Sequence, residues 1–275
     1  MNITEFNVYR DLLNEKSGLF LAQDKAYLVE TRLNPIARKW GYENISAMTN
    51  VLRAVPPQEL IHDIIEAMAN KETSFFRDSM PFQYLKDIVL PYFSETTSDQ
   101  RHIRAWSAAA SSGQEPYSIA LTLNHEKQHH SKLQYSILAT DISYDVLDRA
   151  KDGIYSQLEI QRGVPVDLMI KYFKADGKKW IISDTIKKLI QFEYFNLLES
   201  MEDLGYFDIV FCKNVLPYFD EQTQRSTLER IVAQMKADGF LFMEPSAQSD
   251  TVLNLLRPVP NTVGLYVKND NPHFS

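Results

Sequence analysis

The sequence predicts an α/β chain in two parts: an all-α N-terminal segment, then a wound parallel sheet that carries a small antiparallel excursion. Three observations predict it. Apolar residues recur at helical spacing through the first 80 residues. Strands and helices alternate from about residue 100. A run of small residues, Ser107 to Gly113, separates the first of those strands from its helix.

In the first part, Val29, Leu33, Ile36 and Trp40 mark one helical face, with Lys25, Arg32 and Lys39 seven apart on another. Pro35 is expected to break or kink this segment unless a new helix starts after Asn34. Gly41 is the expected stop. A further helix is expected from about Pro57 through Ala69, with Leu60, Ile61, Ile64, Ile65 and Met68 as its apolar stripe. Beyond residue 100 the candidate strands are Ile103–Trp106, Tyr135–Thr140, Ile190–Tyr194, Phe207–Cys212, Gly239–Met243 and Val263–Val267. The candidate helices are Pro116–His125, Tyr144–Ala150 and Gln222–Met235. Right-handed crossovers place the loops after the first strands at one edge. Trp180–Ile182 and Lys187–Ile190, joined by Ser183-Asp184-Thr185, are expected to pair as the antiparallel excursion. The expected domains are 1–80 and 81–275, with a β-subdomain at about 155–190.

Composition narrows the function. The chain is 44% hydrophobic and 24% charged, as globular proteins are, and no apolar run approaches the ~20 residues of a membrane helix. A net charge of −7 argues against broad nucleic-acid binding. It leaves room for a local basic face: residues 25–40 hold Lys25, Arg32, Arg38 and Lys39 against the single acid Glu30. That face is either an ordinary solvated helix surface or a dock for an acidic partner. The first residues lack a signal peptide's apolar run, and Cys212 has no second cysteine to pair with, so a reducing, cytoplasmic location is expected. His125, His129 and His130 fall in a polar loop, and no metal site is expected. A monomer is the default.

Strand, small-residue loop and helix form the crevice in which α/β sheets take nucleotides. The helix is expected to begin at Glu115-Pro116, where proline's missing N–H costs nothing. Asp141 follows Gly113 by 28 positions, where an acid at the end of the second strand holds ribose hydroxyls. It also suits the N-cap of the helix starting near Tyr144. Followed by Ala139-Thr140-Asp141-Ile142, the small-residue loop points to an adenosyl ligand.

Five motifs then occur in order: Glu72-Thr73-Ser74-Phe75-Phe76-Arg77, Trp106 through Ser118, Ala139-Thr140-Asp141-Ile142, Asn196-Leu197-Leu198, and Phe211 through Phe219. Together they resemble the CheR family, chemotaxis receptor methyltransferases that use S-adenosylmethionine to methylate receptor glutamates. The resemblance runs from the helical part to about residue 243. It implies a Rossmann-like methyltransferase domain, with S-adenosyl-L-homocysteine as product, and chemoreceptor cytoplasmic helices as partner. It also implies cofactor contacts at Thr73, Arg77, Glu115, Asp141, Asn196, Leu197, Asn214 and Val215. Arg77 would hold the methionine carboxylate with its fixed fork of donors, unless it forms an interdomain salt bridge. Glu115 would balance the ammonium or sulfonium charge, Asn196 would meet an adenine edge, and Leu197 and Val215 would supply apolar contact. Asn214 would lie beside the reactive end.

The resemblance raises Lys25, Arg32, Arg38 and Lys39 as the receptor dock, and it equates residues 151–189 with a β-subdomain that in some members grips a receptor's tethering peptide. The turn Lys174–Lys179 is short and holds one glycine, which points to a member independent of the tether. No general base is implied, because a glutamate is already ionised at neutral pH. Phe75, Phe76, Tyr218 and Phe219 are read as packing residues. The chain departs from the family at Lys71, where asparagine is usual, at Lys213 in place of arginine, and at Glu244–Ala247 in place of Gly-His-Ser-Glu. These departures leave room for a cofactor-binding signalling adaptor without turnover. A methyltransferase acting on another protein or a small acid is the other alternative.

Overall fold

The computed structural model describes residues 1–245, 254–271 and 274. Four helices build the first part: α1 (Ile3–Ser17), α2 (Ala26–Lys39), α3 (Ile45–Leu52) and α4 (Gln58–Met68). Each turns an apolar stripe inward, so that Tyr9, Leu13, Val29, Leu33, Met48, Leu60 and Ile64 form one buried core. Asn2 and Asn44 cap α1 and α3 by accepting the backbone N–H groups of Glu5 and Ala47. Helix α2 runs through Pro35 without a break. Pro35 lies on the exposed side, so the helix gives up one internal bond while Val29, Leu33 and Ala37 hold its buried side in place.

A strap, residues 69–79, leads into the consecutive turns α5 (Met80–Tyr84), a π-type turn (Leu85–Val89) and α6 (Leu90–Glu95). The strands are then β1 (Arg101–Ala108), β2 (Leu133–Asp141), β3 (Ile154–Ser156), β4 (Phe173–Asp176), β5 (Lys179–Ile182), β6 (Ile190–Tyr194), β7 (Phe207–Cys212), β8 (Met235–Met243), β9 (Leu256–Pro258) and β10 (Leu265–Lys268). Seven of them make one sheet in the order β6-β2-β1-β7-β8-β10-β9, and the other three make a small sheet, β3-β5-β4. The five strands from β6 to β8 are parallel, whereas β10 runs antiparallel to both of its neighbours. Every residue of β7 is buried, as a central strand covered on both faces requires. Its side chains alternate, with Ile209 and Phe211 in one core cluster and Val210 and Cys212 in the other. The chain builds outward from β1 to β2 and β6, then returns to place β7 on the other side of β1. That reversal opens a crevice at the carboxyl ends of β1 and β7.

The helices covering the sheet include α7 (Gln114–Glu126) and α8 (Tyr144–Asp152). Next come the short α9 (Gln157–Gln161), α10 (Val166–Tyr172) and α11 (Asp184–Lys187), then α12 (Glu221–Ala233). Helix α7 begins two residues ahead of Pro116, which sits in its first turn, where no N–H partner is needed. Helix α12 stops at Ala233 because Met235 already opens β8. The antiparallel excursion differs from expectation. Trp180 and its neighbours pair with β3 and β4, not with Lys187–Ile190. Lys187 closes α11, whose Ile186 is buried, and Ile190 opens β6 in the main sheet.

Phe75 anchors the strap. Its buried ring meets Tyr155 edge-on at 4.8 Å and Phe173 at 5.7 Å, while Phe76 packs on Phe82 at 5.1 Å. Both are packing residues, and their contacts lie on the sheet side. A Cβ at Gly163 would stand 2.0 Å from the Phe75 carbonyl oxygen, so only glycine admits the strap this closely. Gly163→Ala should therefore lower the unfolding free energy by about 1–3 kcal/mol, read from the urea midpoint; an unchanged midpoint would mean that the strap is free to shift.

Candidate functional site

The carboxyl ends of β1, β2 and β7, the strap and one edge of the helical part enclose a cleft of about 960 Å³, counting its open mouth. The loops that line it are strained. Among the described residues seven non-glycine positions have positive φ, and six of these, Phe76, Asp78, Ser79, Ala109, Ser111 and Asn214, lie on the strap or on the loops after β1 and β7. Each such conformation costs about 1–3 kcal/mol, so their concentration around one cavity marks a functional site.

Small residues allow the loop after β1 to fold back over the sheet edge. The Ala110 N–H donates to the Thr140 carbonyl at 2.9 Å, and the Tyr155 hydroxyl donates to the Ser112 carbonyl at 2.8 Å. Gly113, at φ +92°, starts α7 against α8; a Cβ there would stand 2.9 Å from the Ala150 Cβ.

Asp141 ends β2 at the cleft. Its Oδ2 accepts the Ser111 N–H at 2.8 Å, and its Oδ1 accepts the Ser143 N–H at 3.0 Å. Helix α8 takes its N-cap from Ser143, whose hydroxyl accepts the Val146 N–H, so Asp141 is not the cap. Burial pushes the Asp141 carboxyl above its usual range, and its two backbone donors oppose the shift. Each oxygen keeps a lone pair for another donor.

At the other end of the cleft, Glu115 accepts the Ser107 hydroxyl at 2.7 Å. Burial raises its carboxyl to about 7, against the pull of Ser107, Lys213 and Arg77 and with a push from Glu244. Arg77 lines the cleft and forms no ion pair among the described residues; its one hydrogen bond reaches the Glu72 carbonyl at 3.3 Å. The interdomain salt bridge is therefore absent. Lys213 pairs with Asp78 at 2.9 Å and ties the loop after β7 to the strap.

Thr73, Arg77, Glu115, Asp141, Asn214 and Val215 all line this cleft. Asn196 and Leu197 line a smaller pocket that opens from it beside Ile142 and Val215. The Asn196 amide is engaged at both ends, donating to the Lys16 carbonyl at 2.7 Å and accepting the Leu198 N–H at 3.0 Å. It braces its own loop against the end of α1.

Tyr218 was expected to pack. Instead it lines the cleft, 40% exposed, with its hydroxyl against the Asn70 amide. Phe219 is buried and also lines the cleft. Glu66 and Ser111 are participants that sequence reasoning missed, and Glu244 was singled out only as a departure from the family. Glu66 offered one signal, an acid set among the apolar residues of α4, where it is buried. Lys71 donates to it at 2.7 Å. Glu244 accepts the Asn214 N–H; Ser246 and Ala247 lie outside the described residues.

All four basic residues of the predicted dock are exposed. Two of them have structural partners: Arg32 donates to the Met68 carbonyl at 2.8 Å, and Lys39 pairs with Asp63 at 2.8 Å. Lys25 lies 3.5 Å from Asp24, and Arg38 has no partner among the described residues. No helix among those residues is long and apolar enough to cross a membrane.

Residues 71–262 match the family profile described as CheR methyltransferase, SAM binding domain, and residues 4–68 match CheR methyltransferase, all-alpha domain. The chain belongs to the CheR methyltransferase family. It is 38% identical to the chemotaxis protein methyltransferase Cher2 of Pseudomonas putida, over 88% of this chain and 89% of the relative. Chemotaxis protein methyltransferase 1 of Pseudomonas aeruginosa is 38% identical over the same shares. The chemotaxis protein methyltransferase of Borreliella burgdorferi is 32% identical over 98% of this chain and 96% of its own. This CheR chain is an S-adenosylmethionine-dependent methyltransferase of the chemotaxis type.

The raised Glu115 carboxyl has a consequence for stability. The folded chain retains a proton that the unfolded chain releases from about pH 4.5, so the ionised side chain destabilises the fold increasingly up to about pH 7 and by a constant amount above it. Glu115→Gln should raise the unfolding free energy by about 1–3 kcal/mol at pH 8 and leave it nearly unchanged at pH 4. Urea midpoints at the two pH values check this; an equal gain at both would assign the effect to packing.

Proposed function

We propose that this enzyme transfers the methyl group of S-adenosylmethionine to glutamate side chains of chemoreceptors, forming methyl esters. The observation that carries the reading is the set of polar groups around one cleft: an unpaired guanidinium at Arg77, a carboxyl poised near neutrality at Glu115, and a twice-bonded carboxyl at Asp141. These suit the three polar ends of the cofactor. Arg77 would take the methionine carboxylate through its paired N–H groups. Glu115 would ionise against the ammonium, and Asp141 would accept ribose hydroxyls on its remaining lone pairs. The pocket of Ile142, Leu197, Val215 and the Asn196 loop would receive the adenine, with Thr73 on the strap wall.

The bound cofactor supplies an activated methyl group on a sulfonium. The receptor glutamate arrives ionised at neutral pH, so no residue of the chain has to remove a proton. What the protein contributes is alignment and exclusion of water at the mouth formed by Asn70, Asn214 and Tyr218. Alignment of this kind supplies about 7–11 kcal/mol of barrier lowering at best. Within the proposed residues 1–80, the exposed cations Lys25 and Arg38 suit glutamate-rich receptor helices. The proposed catalytic part is 81–275, with the β4–β5 hairpin too short to make a tether essential. A cytoplasmic monomer completes the reading.

Labelled methyl should appear on receptor as a base-labile ester, and tight cofactor binding without transfer would favour an adaptor. Arg77→Ala and Asp141→Ala should each weaken S-adenosylhomocysteine binding about 10- to 100-fold, measured by titration calorimetry. Arg38→Glu should slow receptor methylation severalfold at low salt, by less at high salt, with cofactor affinity unchanged. Equal rates for Arg38→Glu and parent would remove the dock.

A further inference from the structure

Among the described residues, Glu66, near the end of α4, is a buried carboxylate by which the helical part reaches the sheet part beside the cleft. Its Oε2 accepts the Lys71 ammonium at 2.7 Å and the Ser143 hydroxyl at 2.5 Å, and its Oε1 accepts the Asp145 N–H at 3.3 Å. Burial alone would raise its pKa, but Lys71 and Ser143 more than offset this and hold the carboxyl below its usual range. Both residues bonded to Oε2 lead to Asp141. Ser143 donates its N–H to Asp141 Oδ1 at 3.0 Å. The Lys71 carbonyl accepts the Ser111 hydroxyl at 3.0 Å, and the Ser111 N–H donates to Asp141 Oδ2 at 2.8 Å. Glu66, Ser143, Asp141, Ser111 and Lys71 thus form a closed polar ring. It contains Lys71, the residue that departs from the family's usual asparagine.

We propose that Glu66 is a positioning residue for the cofactor site. It clasps the end of α4 to the start of α8 and fixes the two N–H groups that aim the Asp141 carboxylate, so the seating of the helical part sets the grip on the cofactor ribose. This rests on the ribose role assigned to Asp141 above. Members of one hydrogen-bonded network couple by about 0.5–3 kcal/mol, which limits the expected effect to a range of roughly 2- to 150-fold.

The test is a double-mutant cycle on the full chain, read as the Kd for S-adenosylhomocysteine and as kcat and KM for the methyl donor. Glu66→Ala should weaken binding about 5- to 20-fold and raise KM for the donor, with kcat within about twofold of the parent. Glu66→Gln keeps one acceptor oxygen, which can serve Ser143 or Asp145 but not both, and should recover only part of the loss. In an Asp141→Ala background, Glu66→Ala should add little. Additive losses, or a fall in kcat with KM unchanged, would overturn the proposal. So would an unchanged Kd for Glu66→Ala while Asp141→Ala binds weakly, a result that leaves the cofactor reading intact. If Asp141→Ala itself binds normally, the ribose assignment fails and the clasp falls with it. Should Glu66→Ala not fold, Lys71→Met enters the same cycle with the same expectations.

Discussion

Asp141 accepts two backbone N–H groups, from Ser111 and Ser143, and the loops after β1 and β2 hold their shapes through those bonds. Ser111 stands at φ +49°, a conformation that costs a non-glycine residue about 1–3 kcal/mol. A hydrogen bond to a charged group contributes about 1.5–3 kcal/mol, which is of the size needed to hold it there. The carboxylate therefore sustains the strained loop, and the loop in turn keeps the carboxylate at the cleft. Because burial pushes the Asp141 carboxyl above its usual range, the site keeps an under-solvated acceptor that gains from two further donors, as a ribose diol supplies.

The opposite end of the cleft follows the same logic with charges in place of loops. Burial acts first on both Glu115 and Glu244 and raises both carboxyls. Lys213 lowers both, but it is also committed to Asp78, so it neutralises the group only in part. A lysine makes that tie as a point charge, where an arginine would offer a fixed fork. Arg77 stays unpaired nearby. A ligand bearing both a carboxylate and cationic groups would complete this set, whereas an apolar ligand would leave it in deficit. Cys212 lies behind the same carboxyls, fully buried, with its thiol driven well above its usual value by burial. It is a strand residue and not a nucleophile.

What the sequence revealed and concealed divides along local and long-range lines. The parallel strands, the helices and the small-residue loop were legible because each follows from periodicity or residue size within about a dozen positions. So was the cleft's rim, through ordered motifs that put Arg77 on the strap, Glu115 at the start of α7, Asp141 at the end of β2 and Asn214 on the loop after β7, all gathered by the sheet. The excursion was misread because its strands pair across gaps. Residues 154–156 join 179–181 only after two short helices have intervened, and turn chemistry at 183–185 gave a closer but false partner. Asn196 showed an amide in the right place, but not that Lys16, 180 residues away, already takes its donor. Glu66 showed only as an acid in an apolar stripe and Glu244 only as a departure from the family pattern, because a carboxyl's distant partners leave no local trace.

Arg32 braces the helical part from within. On α2 it belongs to the basic face by spacing, yet its guanidinium donates to the carbonyl of Met68, the last residue of α4, which has no following turn to bond it. Met68 lies two residues beyond Glu66 and three before Lys71, so the cation that closes α4 also holds the turn carrying the polar ring. An anionic partner competing for Arg32 would have to release that carbonyl, which would loosen the helix end beside the cleft. Arg38 and Lys25 carry no such obligation to α4. Of the cations on this face, those two are free of α4, and Arg32 is better understood as part of the frame.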